Sequence, residues 1–157
     1  MAELMTSFVT REQYARICAS GDRIMHGLGR RARLRAFVSR GAGLPFIWGE
    51  RDCCLWVCEW IAAERGVDPA ASLRGTYDTM LSCNRILARE GGLPALASRL
   101  AVAAGLTETA TPRAGDVGVI ETPIGPFLMV CLGDTWATKA KDGMAFAPTV
   151  PVKAWTV

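Results

Sequence analysis

Asp52 and Cys53 are the residues of this 157-residue chain whose types and positions best fit covalent chemistry. They follow a turn-rich segment, residues 45–51, and open an apolar run with helical spacing. A thiol in the first turn of a helix lies at the positive end of the helix dipole, where unpaired N–H groups favour the thiolate. The sequence therefore predicts Cys53 as a candidate nucleophile with a lowered pKa. It predicts Asp52 as a helix cap or as an orienting residue.

A nucleophilic cysteine ordinarily works with a base, and the chain has a single histidine, His26. His26 precedes Cys53 and sits in a segment broken by Gly27 and Gly29, so we expect a surface or interface histidine. General base catalysis typically contributes about 10²–10⁴-fold, so a thiol without a base keeps some reactivity. It lacks the proton donor for an amide leaving group, however. Peptide hydrolysis would suffer more than thioester chemistry.

The six cysteines indicate neither a metal site nor a disulfide framework. Adjacent cysteines on one helix project about 100° apart, and no Cys-x-x-Cys knuckle is present. We therefore expect no metal, no iron–sulfur cluster and no other cofactor. Adjacent Cys53 and Cys54 are also untypical of a secreted disulfide scaffold, so most of the cysteines should be reduced and buried. The six are Cys18, Cys53, Cys54, Cys58, Cys83 and Cys131.

Charge is distributed unevenly along the chain. Residues 1–51 hold nine arginines and four acids, a net of +5, whereas residues 52–157 have a net of −2. One short segment carries a basic cluster without stacking aromatics: Arg30, Arg31, Arg33 and Arg35. We therefore expect a solvated helix face or a contact to an acidic protein, and we expect no nucleic-acid binding. We also expect no membrane span and no secretory signal.

The elements that must position Cys53 are helices, followed by strands. Tryptophans 48, 56 and 60 either line a substrate groove or form core, and core is expected. Helices followed by an antiparallel meander indicate an α+β fold with N-terminal helices packed on a small sheet. Helices are predicted after Thr10 and at about 30–39, 53–65, 77–89 and 94–104, and strands at 117–120, 127–132, 136–138, 144–147 and 153–157.

Five short motifs resemble those of NlpC-like cell-wall cysteine peptidases. The resemblance is closer still to a small family of phage-associated proteins encoded among tail genes. It covers roughly residues 30–157 and implies a papain-like domain there, with residues 1–29 as a helical extension and linker. The motifs are Phe46-x-Trp48-Gly49-x-x-Asp52-Cys53-x-Leu55, Arg74-Gly75-x-Tyr77, Gly91-Gly92-Leu93, Ala114-Gly115-Asp116-Val117 and Ala154-Trp155-x-Val157.

The resemblance implies that Cys53 matches the family nucleophile. It places Phe127 where the catalytic histidine begins a strand, and Trp136, Ala137 and Lys139 near the position of the third polar residue. This implies a catalytically degenerate structural protein of a phage tail tip, made in the bacterial cytoplasm and bound to other tail-tip or hub proteins in the virion. The alternative is an active cysteine hydrolase, a peptidase or amidase acting on peptidoglycan.

Overall fold

The computed structural model describes residues 29–157. The helix predicted after Thr10, Cys18 and His26 lie outside them. The described helices are α1 (Arg30–Gly43), α2 (Cys53–Arg65), α3 (Met80–Glu90) and α4 (Leu93–Ala103). The strands are β1 (Thr107–Glu108), β2 (Val117–Thr122), β3 (Gly125–Cys131), β4 (Trp136–Ala140), β5 (Gly143–Ala147) and β6 (Lys153–Thr156). The α+β class is confirmed, because the helices precede an antiparallel sheet.

The six strands form one sheet in the order β1-β6-β2-β3-β4-β5, and every neighbouring pair is antiparallel. The sequence did not predict β1, which has two residues and pairs with β6 at the edge. The predicted strands 117–120 and 127–132 are too short, because β2 reaches Thr122 and β3 begins at Gly125. Thr122 pairs with Gly125, and its hydroxyl donates to the Gly125 carbonyl at 2.7 Å, so only two residues form the turn.

The main core lies between the helices and one face of the sheet. Trp56 and Trp60 of α2 are 1% and 0% exposed, which confirms the prediction that they are core. The ring of Phe37 from α1 stacks on Trp56 with 4.6 Å between centroids, a contact that contributes about 0.5–1.5 kcal/mol beyond burial. Leu128 and Val130 of β3 meet the same cluster. The helix α2, which Cys53 opens, is therefore central, as its apolar sequence predicts.

A second apolar cluster covers the other face of the sheet. Strand side chains alone form its buried part: Ile120, Met129, Cys131, Trp136 and Ala154. A Cβ placed on Gly118 would lie 3.0 Å from the Trp136 ring, so the absence of a side chain there lets the indole pack closely against β2. The sheet thus buries both faces, although the described helices cover only one.

Two helix boundaries differ from the sequence prediction. α1 continues to Gly43, past the predicted end at Ser39, because Gly41 lies against the Trp56 indole where a Cβ would not fit. α3 begins at Met80 rather than Tyr77. The Thr79 and Ser82 side chains form a reciprocal capping box there, which satisfies the first free N–H groups of the helix.

Asp116 ties together three distant parts of the fold. Its carboxylate accepts hydrogen bonds from the Arg113 N–H at 2.7 Å, the Arg30 guanidinium at 3.1 Å and the Val157 N–H at 3.3 Å. The Trp60 indole N–H donates to the carbonyl of neighbouring Gly115 at 2.8 Å. The bond from Arg113 fixes the turn into β2. The same carboxylate also joins α1 to the end of the sheet.

Candidate functional site

Asp52 is the N-cap of α2, so the first of its two predicted roles is the one that the geometry shows. One carboxylate oxygen accepts from the N–H groups of Cys54 and Leu55, each at 3.0 Å. These donors would otherwise be unpaired at the start of the helix. The residue is 1% exposed, so water does not compete for these bonds.

The second oxygen of Asp52 holds the loops before and after α2. It accepts from the Gly49 N–H at 3.0 Å and from the Tyr77 hydroxyl at 2.5 Å. A carboxylate has about four acceptor positions, and four donors fill them here. No position is left on Asp52 to orient a catalytic base, which argues against the second predicted role.

Residues 74–77 wrap around the loop that carries the Asp52-Cys53 motif. Gly49 has a φ of +76°, and a Cβ on it would overlap the Tyr77 carbonyl oxygen. The Gly75 N–H donates to the Gly49 carbonyl at 2.9 Å, and the Arg74 guanidinium donates to the Glu50 carbonyl at 2.9 Å. The sequence contains the motif Arg74-Gly75-x-Tyr77, and its pattern alone predicts no role for it. Its role here is to hold the motif loop.

The Cys53 thiol lies at the first turn of α2 and is half-buried. Burial is the largest cause that raises its pKa, and the neighbouring groups Cys54, Asp52 and Cys83 raise it further. The Cys54 backbone N–H favours the thiolate but does not offset burial. The prediction of a lowered pKa for Cys53 is therefore wrong. The helix-end effect is small beside the cost of charging a buried thiol next to a carboxylate.

The described residues place no histidine near Cys53, because the only histidine of the chain is His26. Phe127, aligned with the catalytic histidine, packs against the second cluster, on the sheet face away from α2. Its neighbour Leu128 joins the core beside α2 instead. Of the three residues near the predicted orienter position, Trp136 belongs to the second cluster and Ala137 carries no polar group.

Lys139, the remaining residue near that position, is buried, with 1% of its surface exposed. Its ammonium donates to the Gly143 carbonyl at 3.0 Å. Burial lowers the pKa of Lys139, and the charge of Arg51 lowers it further. The preceding residue, Thr138, donates from its hydroxyl to the Cys53 carbonyl at 3.1 Å, so β4 holds the start of α2. A single lysine in a short strand gives no sequence signal of this burial.

The described cysteines are all free thiols. The Cys54 thiol, one helical turn before Cys58, shares a hydrogen bond with it that raises the pKa of Cys54. Within residues 29–157, no three histidine, cysteine or acidic side chains form a group suited to a metal ion. In the same range, no helix combines the length and apolar content that crossing a bilayer requires.

A family model described as "Domain of unknown function (DUF6950)" matches residues 28–157. No curated protein matches the chain, and no solved structure does.

Proposed function

The chain belongs to the DUF6950 family of unknown function, and we propose that it is a structural component of a bacteriophage or phage-like tail tip. Its domain would be an NlpC-like scaffold without a working hydrolase site. The tail assignment is supported by the resemblance of its five motifs to phage tail-associated proteins. The absence of hydrolysis is supported by the geometry around Cys53.

The setting of Cys53 is the observation that carries this proposal. A cysteine hydrolase needs a thiolate and a base that returns the proton to the leaving group. Here burial and the neighbouring acid and thiols raise the pKa of Cys53, and Asp52 has no acceptor position left. Phe127, at the position aligned with the histidine, lies on the far face of the sheet, and the β3 residue beside α2 is Leu128, which is not a base.

The motif residues support a scaffold role because each bond that they make holds the fold. Asp52 caps α2, Tyr77 and Gly49 lock the loop before it, and Asp116 joins α1 to the sheet. A scaffold that has lost its chemistry would still need these contacts. The resemblance is therefore kept at residues that hold the fold, and it is lost at the position of the catalytic base.

The alternative is an active cysteine peptidase or amidase that opens peptidoglycan. Cys53 favours it in one respect, because the thiol is half-exposed at a helix start and meets the Cys54 N–H. In this case a group outside the described residues would supply the base.

Alkylation of Cys53 distinguishes the two functions. The chain is treated with iodoacetamide across a pH series, and the modified thiols are assigned by mass spectrometry in the full chain and in Cys53→Ala. We expect the alkylation rate of Cys53 to keep rising above about pH 9, because its thiol pKa lies at or above the ordinary range for cysteine. Half-buried Cys83, whose pKa burial raises to about 11, is the internal control. A plateau below pH 7 would contradict the degenerate site.

The tail role is tested in the phage or prophage that encodes the chain. Deletion of the gene should give particles with incomplete tails in electron micrographs. Both the wild-type gene and Cys53→Ala should restore them, because the thiol has no chemical task. Complete tails in the deletion strain would refute the structural role. Restoration by the wild type alone, together with peptidoglycan digestion by the purified wild type, would establish the hydrolase instead.

A further inference from the structure

The arginines of α1 fall into two sets with different surroundings. Arg30 pairs with Asp116 at 3.1 Å, and Arg33 pairs with Glu64 at 2.7 Å, so these two hold the helix to the domain. Arg31 and Arg35 are exposed and make no ion pair or hydrogen bond with any residue of the described range 29–157. They are four positions apart, so they lie on one side of the helix.

Arg31 and Arg35 flank an open groove of about 530 Å³ between α1 and the β3–β4 turn. Its floor is apolar and contains Leu34, Val38 and Leu132. These side chains also pack on the main core, so the floor is fixed by the fold.

The groove is separate from the Cys53 end of the molecule. Ala114 lines it, and the next residue, Gly115, accepts the indole hydrogen bond of Trp60. Trp60 is seven residues beyond Cys53, about 10 Å further along α2 by helical rise. The chemistry of the groove therefore does not depend on the thiol.

We propose that this groove binds an acidic, apolar peptide segment of a partner protein. Apolar side chains of the segment would lie on the floor, and two carboxylates would pair with Arg31 and Arg35. Arginine offers a planar fork that binds a carboxylate through two parallel N–H bonds. Two acids two residues apart on an extended peptide are separated by about 7 Å, comparable to the spacing of side chains at i and i+4 on a helix.

The lining favours a peptide over a nucleic acid. Its residues include no aromatic side chain, whereas a single-stranded nucleic acid is held by stacking on aromatic rings. It also carries one acid, Asp134, which would repel a continuous phosphate backbone, whereas a peptide can place its carboxylates at the two arginines and a backbone N–H at Asp134. Such a peptide site would serve in any assembly that contains the partner, so it does not depend on the tail-tip role.

The test is selection from a library of random 12-residue peptides displayed against the full chain. We expect enriched peptides to combine apolar residues with at least two acids. Binding of the best peptide, measured by fluorescence anisotropy, should weaken by about 10-fold or more in Arg31→Glu/Arg35→Glu, because each of two exposed ion pairs contributes up to about fivefold and the reversed charges also repel the acids. If Arg31→Glu/Arg35→Glu expresses poorly, the charge-neutral variant Arg31→Gln/Arg35→Gln should also weaken peptide binding.

Arg85→Glu/Arg89→Glu is the matched control. These two arginines have the same spacing on α3, are exposed, and have no partner within the described residues. We expect peptide affinity to stay within about twofold of the wild type, since screened charges distant from the site contribute little. Failure to enrich acidic peptides, or an equal loss in the control, would overturn the proposal. Binding of a 20-nucleotide single strand that depends on Arg31 and Arg35, without peptide enrichment, would assign the groove to nucleic acid and overturn it as well.

Discussion

Tyr77→Phe removes a single oxygen atom, the one that donates to buried Asp52 at 2.5 Å. A hydrogen bond to a charged group contributes roughly 1.5–3 kcal/mol net. Phenylalanine fills the same space at this 7% exposed position, so no cavity term is added. We expect the free energy of unfolding to fall by about 2 kcal/mol. In urea, with a slope of about 1–3 kcal/mol/M, the midpoint should fall by roughly 1 M.

The same variant should change how stability depends on pH. Burial and the bond to Asp52 raise the pKa of Tyr77 above its ordinary 10.0. Above pH 10 the unfolded chain loses this proton while the folded chain keeps it, so the unfolded state binds fewer protons and stability falls as pH rises. The stabilisation that the protonated Tyr77 hydroxyl gives the folded state is present in full below pH 10. The wild type should lose up to about 1.4 kcal/mol per pH unit more than Tyr77→Phe above pH 10.

Thr76→Val is the control for the bond to a charged acceptor. The Thr76 hydroxyl donates to the neutral Leu73 carbonyl at 2.7 Å in the same loop. Its removal should cost about 0.5–1.5 kcal/mol and leave the alkaline slope unchanged. If Tyr77→Phe costs less than Thr76→Val, or if its alkaline slope equals that of the wild type, the stabilising role of the Tyr77–Asp52 hydrogen bond is refuted.

Two further substitutions test the loop and the buried lysine. Gly49→Ala should lower the free energy of unfolding by more than about 3 kcal/mol, because the strain of a positive φ adds to overlap of the new Cβ with the Tyr77 carbonyl. The control Gly66→Ala, at φ +72° in open space, should lower it by about 1 kcal/mol. Equal urea midpoints for the two variants would contradict this. Lys139→Met should abolish a rise of stability with pH below 10.5, since the folded state, with its lowered lysine pKa, binds fewer protons there than the unfolded chain. Parallel pH profiles of the two proteins would show that burial does not affect the lysine charge.

Local pattern was sufficient to predict the long elements of the fold. The helix predicted at 94–104 is α4, and its apolar residues recur with the 3.6-residue helical period and are the buried ones. The start of α3 was missed because Tyr77 continues that period, while its hydroxyl bonds to a residue 25 positions earlier. β1 was missed for a similar reason, since its two residues form a strand only through pairing with β6 near the chain's last residue.

The candidate site was predictable only in its position. The residues next to Asp52 are sufficient to predict it as a helix N-cap. The pKa of Cys53 depends on burial and on Cys83, 30 residues later, which no local pattern contains. The alignment placed Phe127 at the base position, but strand alternation turns it to the far face and puts Leu128 beside α2.

The Asp116 carboxylate also has a mechanical consequence. Because Arg30 and Val157 bond to it directly, the two ends of the described domain meet at one point. A pull applied at residues 29 and 157 would load these few bonds before it reached the sheet or the helices. In an assembly under tension, the domain would therefore yield first at this clasp, freeing the start of α1 while Arg33 and Phe37 still held the helix and the Asp52 loop stayed intact.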